Sequence, residues 1–176
     1  MTTQRLPIVG VMGSGKDDYL ELSLELGWLL GTMEVHLLTG GGSGTMAAVS
    51  EAFARTHRRQ GMVLGILPAD DTGMKPKPGY PNPWVEIPIV THLPHSGDRG
   101  TDPLSRNHIN ILSSDAIVAL PGGHGTASEV QLAKRYGKPL VAFLGTSGSI
   151  PDLPDDVTIA TTIDQVEAFL CSILLD

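Results

Sequence analysis

The sequence predicts a Rossmann-like three-layer α/β fold with a mostly parallel, doubly wound sheet. Three observations carry this. Short continuous apolar runs alternate with stretches of helical periodicity along most of the 176 residues, and runs without polar alternation belong to strands covered on both faces, as in parallel sheets. Strand-to-helix junctions carry glycine clusters, so that ten of the 21 glycines fall within 10–15, 40–44 and 122–125. The composition, 41% hydrophobic and 18% charged, is that of a water-soluble domain. At this length one core suffices, so residues 1–176 are expected to form a single phosphate- or nucleotide-binding domain.

Leu6 to Val11 reads as a strand, followed by a loop with Gly13 and Gly15 and a helix from Asp17 to Leu30, with Leu20, Leu24, Trp28 and Leu29 at helical spacing. Val35 to Thr39 is the second strand, Gly40 to Gly44 its loop, and Met46 to His57 a helix. Met62 to Leu67 is the third strand. The pattern then breaks. Residues 68–103 hold eight of the 13 prolines, and within them Trp84 to Val90 is the segment able to extend, so this stretch reads as a lid-like insertion. Order returns with a helix at Leu104 to Leu112, a strand at Asp115 to Leu120, the loop Gly122 to Gly125 and a helix to Tyr136, stopped by Gly137, Lys138 and Pro139. Strands at Leu140 to Leu144 and Val157 to Ala160 precede a last helix, Thr162 to Leu175, opened by Thr162 and Gln165 at capping-box spacing. Ligands are expected at the carboxyl ends of the strands.

The balance of 12 basic against 19 acidic residues gives −7, which argues against nucleic acid as a partner. Apolar runs are too short for a bilayer, and Met1 to Arg5 leads into the first strand without a signal-peptide pattern, so a cytoplasmic protein without membrane contact is expected. Cys171, the single cysteine, reads as a buried structural thiol.

The glycine loops invite an anion. Gly10 to Asp17 nearly satisfies the G-x-x-x-x-G-K-[ST] phosphate loop, but Asp17 stands where Mg²⁺ needs a hydroxyl, so a nucleoside triphosphatase is not expected. Gly13 and Ser14 remain candidate ligand contacts. Gly41, Gly42, Ser43, Gly44 and Thr45 open a helix, and the amides of Gly44, Thr45 and Met46 are expected to face a phosphate. Pro121, Gly122, Gly123, His124, Gly125, Thr126 and Glu129 form the third loop. Here Thr126 and Glu129 admit two readings, a capping box or a site.

The run Pro121-Gly-Gly-His-Gly-Thr-Ala-Ser-Glu129, with Arg106 nine residues before Asp115, resembles the LOG (lysine decarboxylase-like) superfamily. In its hydrolase branch the resemblance implies a phosphoribohydrolase cleaving the N-glycosidic bond of nucleoside 5′-monophosphates, with Arg106 and Glu129 catalytic. The hydrolases pair that arginine with lysine, whereas Asn107 follows Arg106. The segments Ile66 to Asp71, Asn82 to Thr91 and Ser105 to Asn107 look closer to the molybdenum cofactor carrier branch. That resemblance implies a protein that binds the molybdenum cofactor (molybdopterin), protects it and passes it to molybdoenzymes, with Arg106 and Asn107 among the ligand contacts.

Weaker signals complete the reading. His92, His95 and Asp98 fit no standard zinc spacing, and no catalytic metal is expected. Lys75, Lys77 and Arg99 read as surface charges or lid contacts to an anion. His108 and His124 are candidate donors to it, Tyr80 a lid anchor, and Trp84 a core residue. A homodimer or homotetramer is expected.

Overall fold

In the computed structural model, which describes residues 5–174, seven strands form one sheet among the described residues. In chain order these are β1 (Ile8–Met12), β2 (His36–Thr39), β3 (Val63–Leu67), β4 (Ile87–Val90), β5 (Ala116–Ala119), β6 (Leu140–Phe143) and β7 (Thr158–Ala160). Five helices accompany them: α1 (Leu20–Thr32), α2 (Thr45–Arg55), α3 (Asn107–Ser113), α4 (His124–Arg135) and α5 (Ile163–Leu174). The strand order is β4-β3-β2-β1-β5-β6-β7 and every pairing is parallel. Register runs through Val9 opposite Ala116 and Gly10 opposite both Leu38 and Ile117. The order reverses between β1 and β5, which opens a crevice at their carboxyl ends.

Alternation along the strands builds two separate cores. Val9, Val11, Leu37, Val118 and Phe143 face α1, α2 and α5 through Leu26, Leu30, Phe53, Val166 and Leu170. Their neighbours Met12, Leu38, Ile117 and Ala119 face α3 and α4 through Ile111, Val130 and Ala133. Period-two side-chain direction thus sends successive apolar residues into opposite layers.

Two helices differ from expectation. α1 begins at Leu20 rather than Asp17, because the Ser14 hydroxyl accepts the Lys16 and Asp17 amides and holds them in a turn. Its buried stripe is Ser23, Leu26, Gly27, Leu30 and Gly31, while Leu20 and Trp28 are about half exposed. The reason is close packing, since a Cβ on Gly27 would stand 2.5 Å from the Ala52 Cβ on α2. α3 begins at Asn107 rather than Leu104, because the Asp102 carboxylate takes the Leu104 amide at 3.0 Å and keeps 102–106 in turns. In the last helix half of the expected capping box forms: Gln165 Oε1 accepts the amides of Thr161 at 2.7 Å and Thr162 at 3.3 Å. Met1 to Gln4, and Leu175 at the expected end of that helix, lie outside the described residues. No helix among the described residues is long and apolar enough to cross a membrane.

The proline-rich stretch adds an edge to the sheet. β4 pairs with β3 from Ile87 onward, and just before it the exposed Glu86 accepts the Val63 amide and pairs with Arg59 at 2.6 Å. Trp84 is half-buried beneath the Arg55 guanidinium, 4.9 Å from its ring centre, rather than in the core. Further on, a short 3-10 turn at Gly97–Arg99 settles on the start of α4, where a Cβ on Gly125 would lie 3.1 Å from the Gly97 Cα.

Candidate functional site

The carboxyl ends of β1, β2 and β5 bring all three glycine loops together. Ser14 is the joint. Its carbonyl accepts the Thr45 amide and hydroxyl, each at 2.9 Å, while its own amide donates to the Pro121 carbonyl at 3.3 Å. The Ser43 hydroxyl donates to the Gly15 carbonyl at 2.7 Å. Gly44 sits at φ 63 with its α-carbon against the Ser14 and Gly15 backbone, a place that L side chains rarely tolerate. The hydroxyls of Ser43 and Thr45 are therefore committed to holding the second loop to the first, and that of Ser14 to shaping its own loop through the Lys16 and Asp17 amides. The Thr45 amide, expected to face a phosphate, is also spent, on the carbonyls of Ser14 and Asp17.

Other amides stay open. Among the described residues those of Ser43, Gly44 and Met46, and those of Gly123, His124, Gly125 and Thr126, take no acceptor; they sit at the starts of α2 and α4, where backbone donors and helix dipole both favour an anion. Gly122 is an exception, bound to the Ser149 carbonyl at 3.2 Å. Gly123 and His124 are exposed.

Beneath these loops lies a buried polar cluster. Arg106, 3% exposed, presses its guanidinium against Gly40, where a Cβ would collide with it, and donates through Nη2 to the Gly40 carbonyl at 3.4 Å. Nη1 donates to the Asn107 amide oxygen and stands 3.7 Å from Glu129 Oε1. Glu129 is buried, and desolvation pushes its carboxyl up to about 7 against the opposing pull of Arg106 and the nearby Asn110 amide. The capping-box reading of Thr126 and Glu129 does not hold. α4 starts at His124, two residues before Thr126, and no side chain caps it.

Several of these buried groups make no well-formed hydrogen bond among the described residues: Arg106 Nε, the Thr126 hydroxyl, and both amide atoms of Asn110, whose side chain has only a loose interaction with the Glu129 carboxyl. Leaving one such group unsatisfied costs about 1–3 kcal/mol, so these groups are candidates to receive a ligand's polar atoms. Asn110 was not among the residues singled out from sequence. Its signal is its position four residues after Arg106 on one helix face, between Ile109 and Ile111.

The insertion reaches the second glycine loop twice. Asn82, 6% exposed, donates its amide to the Gly41 carbonyl and its side chain to the Gly42 carbonyl, both at 2.8 Å. The Tyr80 ring lies against Gly42, 3.0 Å from where a Cβ would be. His108, expected as a free donor, is committed: Nδ1 meets the Tyr136 hydroxyl at 2.7 Å and Nε2 the Asp102 carbonyl at 3.0 Å. Lys77, His95 and Arg99 line a separate hollow of about 350 Å3, where Asp71 sits with them and Asp102 pairs with both Arg99 and His95.

Together, the switch-point topology, open helix-start amides and one buried arginine define a Rossmann-like protein whose candidate site lies at the carboxyl edge of its sheet. The chain belongs to the SLOG cluster4 family, whose model matches residues 6–169. It is similar to the molybdenum cofactor binding protein of Rippkaea orientalis, with 32% identity, TM-score 0.72, and coverage of 97% of this chain and 99% of that one. It is similar also to the molybdenum cofactor carrier protein of Chlamydomonas reinhardtii, with 31% identity, TM-score 0.73, and coverage of 98% and 100%. An uncharacterized protein of Archaeoglobus fulgidus is 31% identical over 142 residues, 79% of this chain and 81% of its own. The LOG-like resemblance read from Pro121 to Glu129 therefore stands at the level of the superfamily.

Proposed function

We propose that this protein binds, protects and carries a phosphorylated heterocyclic ligand, the molybdenum cofactor. The observation that carries the reading is the buried set of groups without a well-formed hydrogen bond, Arg106 Nε, the Asn110 amide and the Thr126 hydroxyl, under two rows of open amides. These donors fit an anionic, oxygen-rich cargo. Phosphate takes the amides at the starts of α2 and α4, with Arg106 as the fixed charge. Glu129, its carboxyl near 7, is protonated in about half the molecules at pH 7 and in that form donates to a ligand oxygen instead of repelling it. Near-full-length likeness to two proteins that bind or carry this cofactor supports the cargo's identity.

In this reading residues 1–176 work as one domain in the cytoplasm, a dimer or tetramer that hands cofactor to molybdoenzymes. Nucleic acid and membrane are not partners. Residues 68–103 act as the lid, fastened through Asn82 and resting on α4 through Gly97.

Cofactor released from a molybdoenzyme, incubated with the purified protein and assayed by reconstituting an apo molybdoenzyme, is expected to lose activity severalfold more slowly than alone. Equal decay with and without protein overturns the proposal. Free base released from AMP and related monophosphates, and lost in Glu129→Ala, would replace it with the phosphoribohydrolase reading.

A further inference from the structure

A cavity of about 510 Å3 opens on the same edge of the sheet, between the start of α1 and the chain leaving β6 and β7. It abuts the third glycine loop. Gly148 on its wall packs against the Pro121 ring, and the next residue, Ser149, accepts the Gly122 amide at 3.2 Å. Its size falls within the ~300–1,000 Å3 of small-molecule sites.

The lining decides what it can take. Leu22, Leu144 and Ile163 are apolar, Thr146, Ser147, Thr161 and Thr162 bring hydroxyls, and Glu21 and Glu25 are the charged groups. Among the described residues no Lys, Arg or His lines it, so phosphate or an oxyanion would be repelled. Neither glutamate is ion-paired among the described residues. Spaced i, i+4, they project from one face of α1. Tyr19, held at φ 41 and 37% exposed, completes the wall with an aromatic surface. Apolar and aromatic walls with paired acceptors suit a flat ring that carries N–H donors on its edge.

We infer that this cavity is a subsite for a planar heterocycle with adjacent N–H donors, the aminopyrimidinone edge shared by pterin and guanine. Glu21 and Glu25 accept those donors and Tyr19 lies along the ring. Adenine, which sets an acceptor nitrogen beside its amino group, leaves a carboxylate facing a lone pair and is rejected. The assignment of the whole ligand rests on the carrier reading above, with phosphate at the glycine loops and the ring here.

Unphosphorylated pterin is the probe, followed by its fluorescence during titration with the full chain. Saturable binding is expected. Glu21→Gln combined with Glu25→Gln weakens it about tenfold, the scale of losing a charge-assisted hydrogen bond. Ser147→Trp, on an exposed loop, fills the cavity and abolishes it. Guanosine displaces pterin and adenosine does so at least about tenfold less well. Guanosine as effective as pterin places recognition in the shared edge, while a preference for pterin extends it to the second ring. No saturable binding, or the same binding in the double glutamine and Ser147→Trp variants, overturns the inference. Pterin binding without cofactor protection sinks the carrier reading alone. Full cofactor protection by Ser147→Trp sinks this subsite alone.

Discussion

The first and third glycine loops look alike in sequence, and the structure gives them opposite work. In Gly13 to Asp17 the polar groups are spent internally: the Ser14 hydroxyl takes two amides and its carbonyl takes two donors from Thr45. In Gly122 to Glu129, four successive amides, the Thr126 hydroxyl and the Asn110 amide beneath are unspent. A loop resembling a phosphate loop is thus the brace. The loop resembling an ordinary helix cap is the open face. What distinguishes them is hydrogen-bond satisfaction, which glycine content alone does not reveal.

The largest effect that would break this contrast lies at Arg106. Arg106→Ala should lower cofactor affinity at least about tenfold and cost about 3 kcal/mol of stability, the scale of removing one partner from a buried pair; ligand titration and urea unfolding measure the two. Unchanged affinity would mean that the open face is not where the anion sits.

Glu129 sharpens the contrast through pH. Its carboxyl is raised from 4.5 to about 7 in the folded state, so the native protein binds more protons than the unfolded chain between those values and stability falls as pH rises through that window. Below it both states are protonated and the cost vanishes. Relative to wild type, Glu129→Gln should gain stability from pH 4.5 to pH 7 and then level off, on the order of 3 kcal/mol for a shift of this size. Urea unfolding of both proteins at pH 4.5, 6 and 8 tests it, and a pH-independent difference would place the titrating group elsewhere.

Smaller effects belong to the brace. Gly44→Ala puts a methyl group into the Ser14 backbone at a φ of 63 and should destabilise by about 2 kcal/mol, seen as a lower Tm. Ser14→Ala should cost about 1 kcal/mol by freeing the Lys16 and Asp17 amides, while cofactor affinity stays within about threefold. A large affinity loss with little change in Tm would reverse the roles assigned to the two loops.

The strands and most helices were readable because burial on both faces leaves continuous apolar runs, as in Ile117 to Leu120. Gathering the three loops followed from placing them at strand ends in a doubly wound sheet. The helix starts escaped, since a serine hydroxyl at position 14 and a carboxylate at 102 retain residues that spacing assigns to helices. Asn110 escaped because its spacing from Arg106 becomes informative once Arg106 is known to be buried, which a helix of seven residues does not reveal by itself. Which face of α1 is buried turned on Gly27 meeting Ala52, a contact between helices that neither segment announces by itself.

Asn82 ties two carbonyls of the second glycine loop, Gly41 and Gly42, to the proline-rich insertion with two donors from one residue. Lifting that part of the insertion therefore frees both carbonyls at once. Hydrogen exchange at residues 80–85 and 40–44 should consequently follow a single opening rate, so that insertion and loop loosen as one event in time.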